Sequence, residues 1–228
     1  AYEIRPRDWS SDVCSSDLMV LPGATHAVPD SHACTVGGLG ALAFGVGTTE
    51  LEHILATQCI AIKKPKRMRI RLDGTLRDYV RAKDVALRII GVIGSSGGRG
   101  HAIEYAGAVA RALPIERRLT MCNLTIEAGS RTGLVAPDDA TFTWLHGRPW
   151  APKGAIWERA LAAGRTLRTD DEATFACDIS IDCSDLEPQI TWGTDPSQVL
   201  DISGRVPDPS SADGSRKAAM ESALRYMD

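Results

Sequence analysis

The sequence predicts an α/β fold, and three observations carry that prediction. Met68, Ile70 and Leu72 alternate with Arg69 and Arg71, which is the period of a half-exposed strand. Ala176 to Ile181 repeats the pattern, with Cys177, Ile179 and Ile181 on one face. Lys83–Ile93 and Ile156–Leu167 read instead as aliphatic-rich helices. Strands interleaved with helices argue for the α/β class.

The opening stretch AYEIRPRDWSSDVCSSDL has neither period. It resembles the conceptual translation of a short-read sequencing adapter with its index. Residues 1–18, with Trp9 and Cys14, are therefore set aside as non-native, and the protein is expected to start near Met19. Leu21-Pro22-Gly23 is turn chemistry, and Thr25 to Val28 reads as a short buried strand ending at Pro29. Asp30-Ser31-His32 then sits at a strand C-terminus, where open α/β sheets present ligand groups. Gly37 to Gly47 is small and apolar, suited to packing a helix closely against a sheet. A nucleotide loop there would need a strand leading into G-x-G-x-x-G, and none does.

Thr49 and Glu52 have capping-box spacing for a helix to about Ala61, with Leu51, Ile54 and Leu55 as its apolar stripe. Lys63 to Arg67 reads as a basic loop, and Asp73-Gly74 as the turn closing the following strand. Gly94 stops the Lys83–Ile93 helix. The Gly-rich loop from Gly94 to His101 lacks the Gly-Lys-Ser/Thr ending of a phosphate loop. Ile103–Leu113 is expected as a helix, and Pro114 as the first residue of the next, which carries Cys122 to Gly129. Asp138 is placed to cap a short helix through Leu145. Ile190 to Ser215 reads as loop, and a last helix runs from about Ser215 to Tyr226.

Composition narrows the function classes. A net charge of -3 and a pI near 6.0 leave no nucleic-acid footprint. No apolar run is long enough to span a bilayer, so no membrane partner is expected and a cytoplasmic location is. The six cysteines, Cys14, Cys34, Cys59, Cys122, Cys177 and Cys183, contain no Cys-x-x-Cys and read mostly as free, largely buried thiols.

Chemistry concentrates in two places. Asp30-Ser31-His32 joins a carboxylate, a hydroxyl and an imidazole. Asn123 and Glu127 are four residues apart in a helical stretch, so they share a face. Taken singly each residue has an ordinary structural explanation. Together with Gly40 to Thr48, Glu52 to Gln58, Gly133 to Asp138, Ala151 to Gly154 and Glu187 to Thr194, they resemble the aconitase family of iron–sulfur hydro-lyases. The last three pieces are closer to its isopropylmalate dehydratase branch than to aconitase itself.

The resemblance implies three-layer α/β/α domains truncated at both ends. Residues 19–65 would end a first domain, 66–150 form a middle one, and 151–228 be a linker and the start of a third. It implies a reversible dehydration in which histidine–carboxylate pairs handle the leaving water. His32 and Glu127 match one pair, and Asp30 matches the carboxylate of a second whose histidine lies upstream. Asn123 matches a polar residue lining the cluster side of the site, and Ser31 a position beside these.

The implied cofactor is a [4Fe–4S] cluster. Its three cysteines stand in Ser-Cys-Thr-Asn and Gly-Cys-x-x-Cys motifs that match none of the six here. The chain alone is thus expected to hold no cluster and to be inactive, with metal ligands beyond Asp228. The implied partners are a small subunit and a branched hydroxy-diacid. Pro29 replaces a usual glycine, Ala33 stands where Thr is common, and Val36 where the leucine-pathway enzymes often have His. These departures leave homoaconitase-like and methylmalate-type substrates as alternatives. A cluster-free binding or vestigial protein is a further alternative. An NAD- or ATP-binding reading rests only on the glycine loops.

Overall fold

Alternating burial decides where the main sheet lies. In the computed structural model, which describes residues 20–228, strand β3 (Lys66–Asp73) buries Met68, Ile70 and Leu72 while Arg69 and Arg71 stay accessible. Residues 1–19, including the stretch set aside above, lie outside the described residues. Burial of each such side chain stabilises by about 1.5–3 kcal/mol. β3 is flanked by β4 (His101–Ala106) and β6 (Cys177–Asp182), with β5 (Thr132–Val135) beyond β4, giving the order β5-β4-β3-β6. Every pairing in this sheet is parallel. The class is α/β, as the alternation predicts. Cys177, Ile179 and Ile181 face the core as one stripe, and β6 joins β3 residue for residue across a long stretch of sequence.

A second sheet pairs β1 (Thr25–Val28) with β2 (Leu42–Gly45), also in parallel. β1 lies where expected, but it is half-buried rather than buried. The small apolar stretch divides. Ala33–Leu39 winds into a 3-10 helix that packs tightly, while Leu42–Gly45 extends because its backbone completes the β1 ladder.

Several helices differ from expectation at their ends. α1 (Thr48–Thr57) is capped by Glu50, whose Oε2 accepts from Gly47 N at 2.8 Å, and it stops at Gln58 in a left-handed conformation. None of its residues is buried, so the Leu51, Ile54 and Leu55 stripe faces no core among the described residues. α2 (Ala82–Ile93) ends at Gly94 as predicted. The Ile103–Leu113 stretch is a strand first, β4, and a helix only in α3 (Gly107–Ala112). Ile103 and Tyr105 alternate with Ala102 and Glu104, and the slot between β3 and β5 favours that two-residue period over the helical one. Pro114 precedes α4 (Ile115–Asn123) as its extended N-cap rather than as its first helical residue.

Asp138 caps α5 (Asp139–Leu145) as predicted, its Oδ1 accepting from Thr141 N at 3.1 Å. α6 (Gly154–Arg165) and α7 (Gly214–Met227) lie close to their predicted places. The Ile190–Ser215 stretch is not all loop. It takes part in an antiparallel hairpin of β7 (Gln189–Thr191) and β8 (Val199–Asp201).

α4 is the wall shared by two cores. Met121 and Cys122 sit in the main-sheet core with Ile70, Ile103 and Val135. Ile115 and Leu119 pack into the second, with Val36, Leu39 and Ala43. Arg118, fully buried between them, donates to Asp138, to Leu113 O and to Arg111 O. Its charge is thereby fully partnered, as a buried guanidinium must be. The C-terminal end of α4, with Asn123, packs against the Ala33–Leu39 3-10 helix.

Candidate functional site

The turn after β1 is built by its own side chains. Asp30 Oδ1 accepts from His32 N at 2.6 Å, a local closure typical of aspartate in turns. Thr35 Oγ1 donates to His32 O at 2.7 Å from inside the following 3-10 helix. These two bonds fix the His32 backbone on both sides. The imidazole projects outward, with Ser31 Oγ 2.9 Å from its Nδ1.

The facing element is the end of α4. The helix tightens after Asn123 into a 3-10 turn, Leu124–Ala128, closed by Gly129 in a left-handed conformation. The α-helical argument for a shared face therefore does not apply to Asn123 and Glu127. Both nevertheless reach the same segment. Glu127 Oε1 lies 3.5 Å from His32 Nε2. Asn123 Nδ2 donates to Thr35 Oγ1 at 2.8 Å, and Cys34 Sγ donates to Asn123 O at 3.6 Å. Asn123 thus reaches the His32 backbone through Thr35 and makes no direct contact with the ring.

The side chains of His32 and Glu127 are 37% and 41% exposed. An ion pair so open to water contributes no more than about 1 kcal/mol to stability, so stability does not account for its supporting bonds. A carboxylate beside Nε2 favours the tautomer with its proton there. Nδ1 of the neutral ring is then free to accept from Ser31. The arrangement can hold a proton at Nε2 and offer it to a group entering from solvent. Asp30 also lines a cleft beside Ser31.

The nearby thiols are of another kind. Burial pushes Cys34 up to about 11 and Cys122 well above the ordinary thiol range. Both are protonated at neutral pH and packed as small apolar side chains. Among the described residues no three His, Cys, Asp or Glu side chains are grouped to hold a metal ion.

The sequence reading overlooked two residues. Thr35 is the bridge between Asn123 and His32, and its signal is a hydroxyl three residues after the imidazole, the spacing of a side-chain-to-backbone bond. Arg131 lines a cleft with Asp30 and Ser31, and nothing in its local sequence announces that.

A model of the aconitase family (aconitate hydratase) matches residues 13–228. The chain is 54% identical over 208 residues to a 3-isopropylmalate dehydratase large subunit 1 of Bradyrhizobium diazoefficiens, covering 91% of this chain and 44% of that protein. It is 52% identical over 207 residues to a 3-isopropylmalate dehydratase large subunit of Anaeromyxobacter dehalogenans, covering 90% of this chain and 43% of that protein. The chain thus spans less than half the length of these curated relatives. Among the described residues, no helix is long and apolar enough to cross a membrane.

Proposed function

Since the chain belongs to the aconitase family, we propose that it forms part of the large subunit of a 3-isopropylmalate dehydratase and carries one acid–base wall of that enzyme's site. The single observation that carries this reading is the 3.5 Å approach of His32 Nε2 to Glu127 Oε1, in a chain so similar to two such large subunits. The reaction is the reversible removal of water from a branched hydroxy-diacid, in the cytoplasm, with a small subunit as partner.

Hydroxide is a poor leaving group, so the departing oxygen needs a proton. His32 holds that proton at Nε2, and Glu127 beside it orients the ring. In the return direction the same ring takes the proton from water. Ser31 orients the ring through Nδ1, and Asp30 holds the turn and lines the cleft. Asn123 supports the wall through Thr35.

The family's [4Fe–4S] cluster does not fit the donors present. Cys34 and Cys122 are buried protonated thiols, and no three ligating side chains are grouped among the described residues. Cluster ligation needs a set of thiolates. In this reading they belong to other parts of the large subunit, and the chain's own residues contribute only proton handling and substrate contact.

The test uses the complete large subunit carrying this chain, assembled with its small subunit. His32→Ala is expected to lower turnover of isopropylmalate by about 100-fold or more, within the range of a lost general acid, with visible cluster absorbance retained. Turnover near wild type would overturn the assignment. A panel with homocitrate-type and methylmalate-type acids settles the substrate.

A further inference from the structure

Next to the His32–Glu127 pair lies a cleft of about 270 Å³. Asp30, Ser31 and Arg131 are its polar lining, and Pro29, Val46 and Ile126 supply apolar surface. The cleft is held in shape by backbone contact. A Cβ on Gly45 would stand 2.7 Å from Asp30 O, so the end of β2 presses directly on the Asp30 turn.

Arg131 is the cation in that lining. Several arginines elsewhere are held by aspartates, such as Arg69 by Asp178, Arg118 by Asp138 and Arg165 by Asp139, while others on the surface are not. Arg131 forms no ion pair among the described residues, although Glu127 lies four residues before it. Glu127 is turned toward His32 instead, because the 3-10 helix and left-handed Gly129 send the chain on in a new direction before Arg131. The result is an unneutralised guanidinium with five donors, beside apolar surface that strengthens any charge-assisted bond it makes.

We propose that Arg131 is a substrate-binding residue that receives one carboxylate of the hydroxy-diacid. This rests on the dehydratase reading above and names a contact within that same site. A guanidinium matches a carboxylate in a two-point fork. Asp30, also in the lining, repels an anion, so Arg131 is the favourable seat for the carboxylate in the cleft. Seating it at Arg131 brings the rest of the diacid alongside Ser31 and the His32 ring. The effect belongs to binding rather than to proton transfer.

The test again uses the complete enzyme with its small subunit. Arg131→Gln is expected to raise KM for 2-isopropylmalate about 10- to 100-fold, the loss of one charge-assisted contact, with kcat changed less than about threefold. Arg131→Lys should fall between, since a point charge keeps attraction but loses the fork. Unchanged kinetics in Arg131→Gln, in an enzyme that turns over isopropylmalate, would overturn this contact and leave the dehydratase reading intact. If the wild-type enzyme turns over no hydroxy-diacid, that reading fails, and ligand titration decides the contact separately. In arginine-labelled protein the Arg131 Nε–Hε resonance should then shift saturably with 2-isopropylmalate and much less with 2-hydroxyisovalerate, which lacks one carboxylate. A resonance that does not move overturns the proposal.

Discussion

Gly37 and Gly133 meet backbone to backbone: a Cβ added to Gly37 would stand 1.7 Å from Gly133 O. Gly37 belongs to the 3-10 helix that follows His32, and Gly133 to β5, just beyond the turn that carries Glu127. Their contact therefore sets how closely the imidazole and the carboxylate can come. A second close approach reinforces it, since a Cβ on Gly38 would lie 2.7 Å from Leu119 N in α4.

Gly37→Ala should consequently damage both stability and the site. No side-chain rotation relieves a clash with a backbone carbonyl, so the 3-10 helix must move away from β5. Overpacking of this kind costs about 1–3 kcal/mol, and the displacement pulls His32 from Glu127. Thermal melting and turnover in the complete enzyme should both fall, with turnover falling further. A variant with wild-type melting and activity would show that the two segments are not held by this contact.

Thr35 offers a subtler test of positioning. Its hydroxyl donates to His32 O and accepts from Asn123 Nδ2, so Thr35→Val removes the bridge while keeping the shape. The Asn123 amide then loses a partner, at about 1–3 kcal/mol if it stays dry. Turnover should fall about tenfold with KM little changed, because the ring is no longer fixed against Glu127. Thr35→Ser should restore turnover. A melting change with turnover intact would mark Thr35 as a packing residue alone.

The Arg118–Asp138 pair governs acid stability. Burial raises Asp138, but the Arg118 hydrogen bonds, the Thr141 amide and the Arg118 charge outweigh it and hold its carboxyl below the ordinary range. A carboxyl depressed in the folded state stabilises fully above its unfolded value, near pH 4. That stabilisation is lost as pH falls through the lower folded value. Asp138→Ala leaves the buried guanidinium without its counter-ion and removes the α5 cap, so it should cost about 3–5 kcal/mol at neutral pH. Its melting temperature should depend less on pH below 4 than the parent's. Parallel acid-melting curves for the two proteins would refute this.

Thiol reactivity should separate the cysteines by burial. Cys34, Cys122 and Cys183 are buried, and burial pushes Cys34 and Cys183 up to about 11. Cys59 is exposed. Brief alkylation at pH 7.5 followed by peptide mapping should label Cys59 well ahead of those three. Rapid labelling of Cys34 would mean that the 3-10 helix after His32 opens readily.

The sequence alone determined what depends on short-range pattern. Alternation in Met68–Leu72 and Cys177–Ile181 located two strands of the main sheet, since a two-residue period has one physical cause in a half-buried ladder. The Asp138 cap and the Gly94 stop were legible because each satisfies backbone groups within a few residues. The residues of the candidate site, His32, Glu127, Asp30, Ser31 and Asn123, could be named from their motifs.

What the tertiary structure decided is everything set by neighbours remote in sequence. Ile103 to Ala106 became a strand because β3 and β5 left a slot for one, and Leu42–Gly45 because β1 offered an unpaired edge. The turn from α- to 3-10 helix after Asn123 aimed Glu127 at His32, where helical spacing alone would have aimed it elsewhere. Thr35 and Arg131 gained their places only when two elements met. Hydrogen bonds and charges act over a few ångströms in space, and a linear sequence records those distances only where the chain happens to be local.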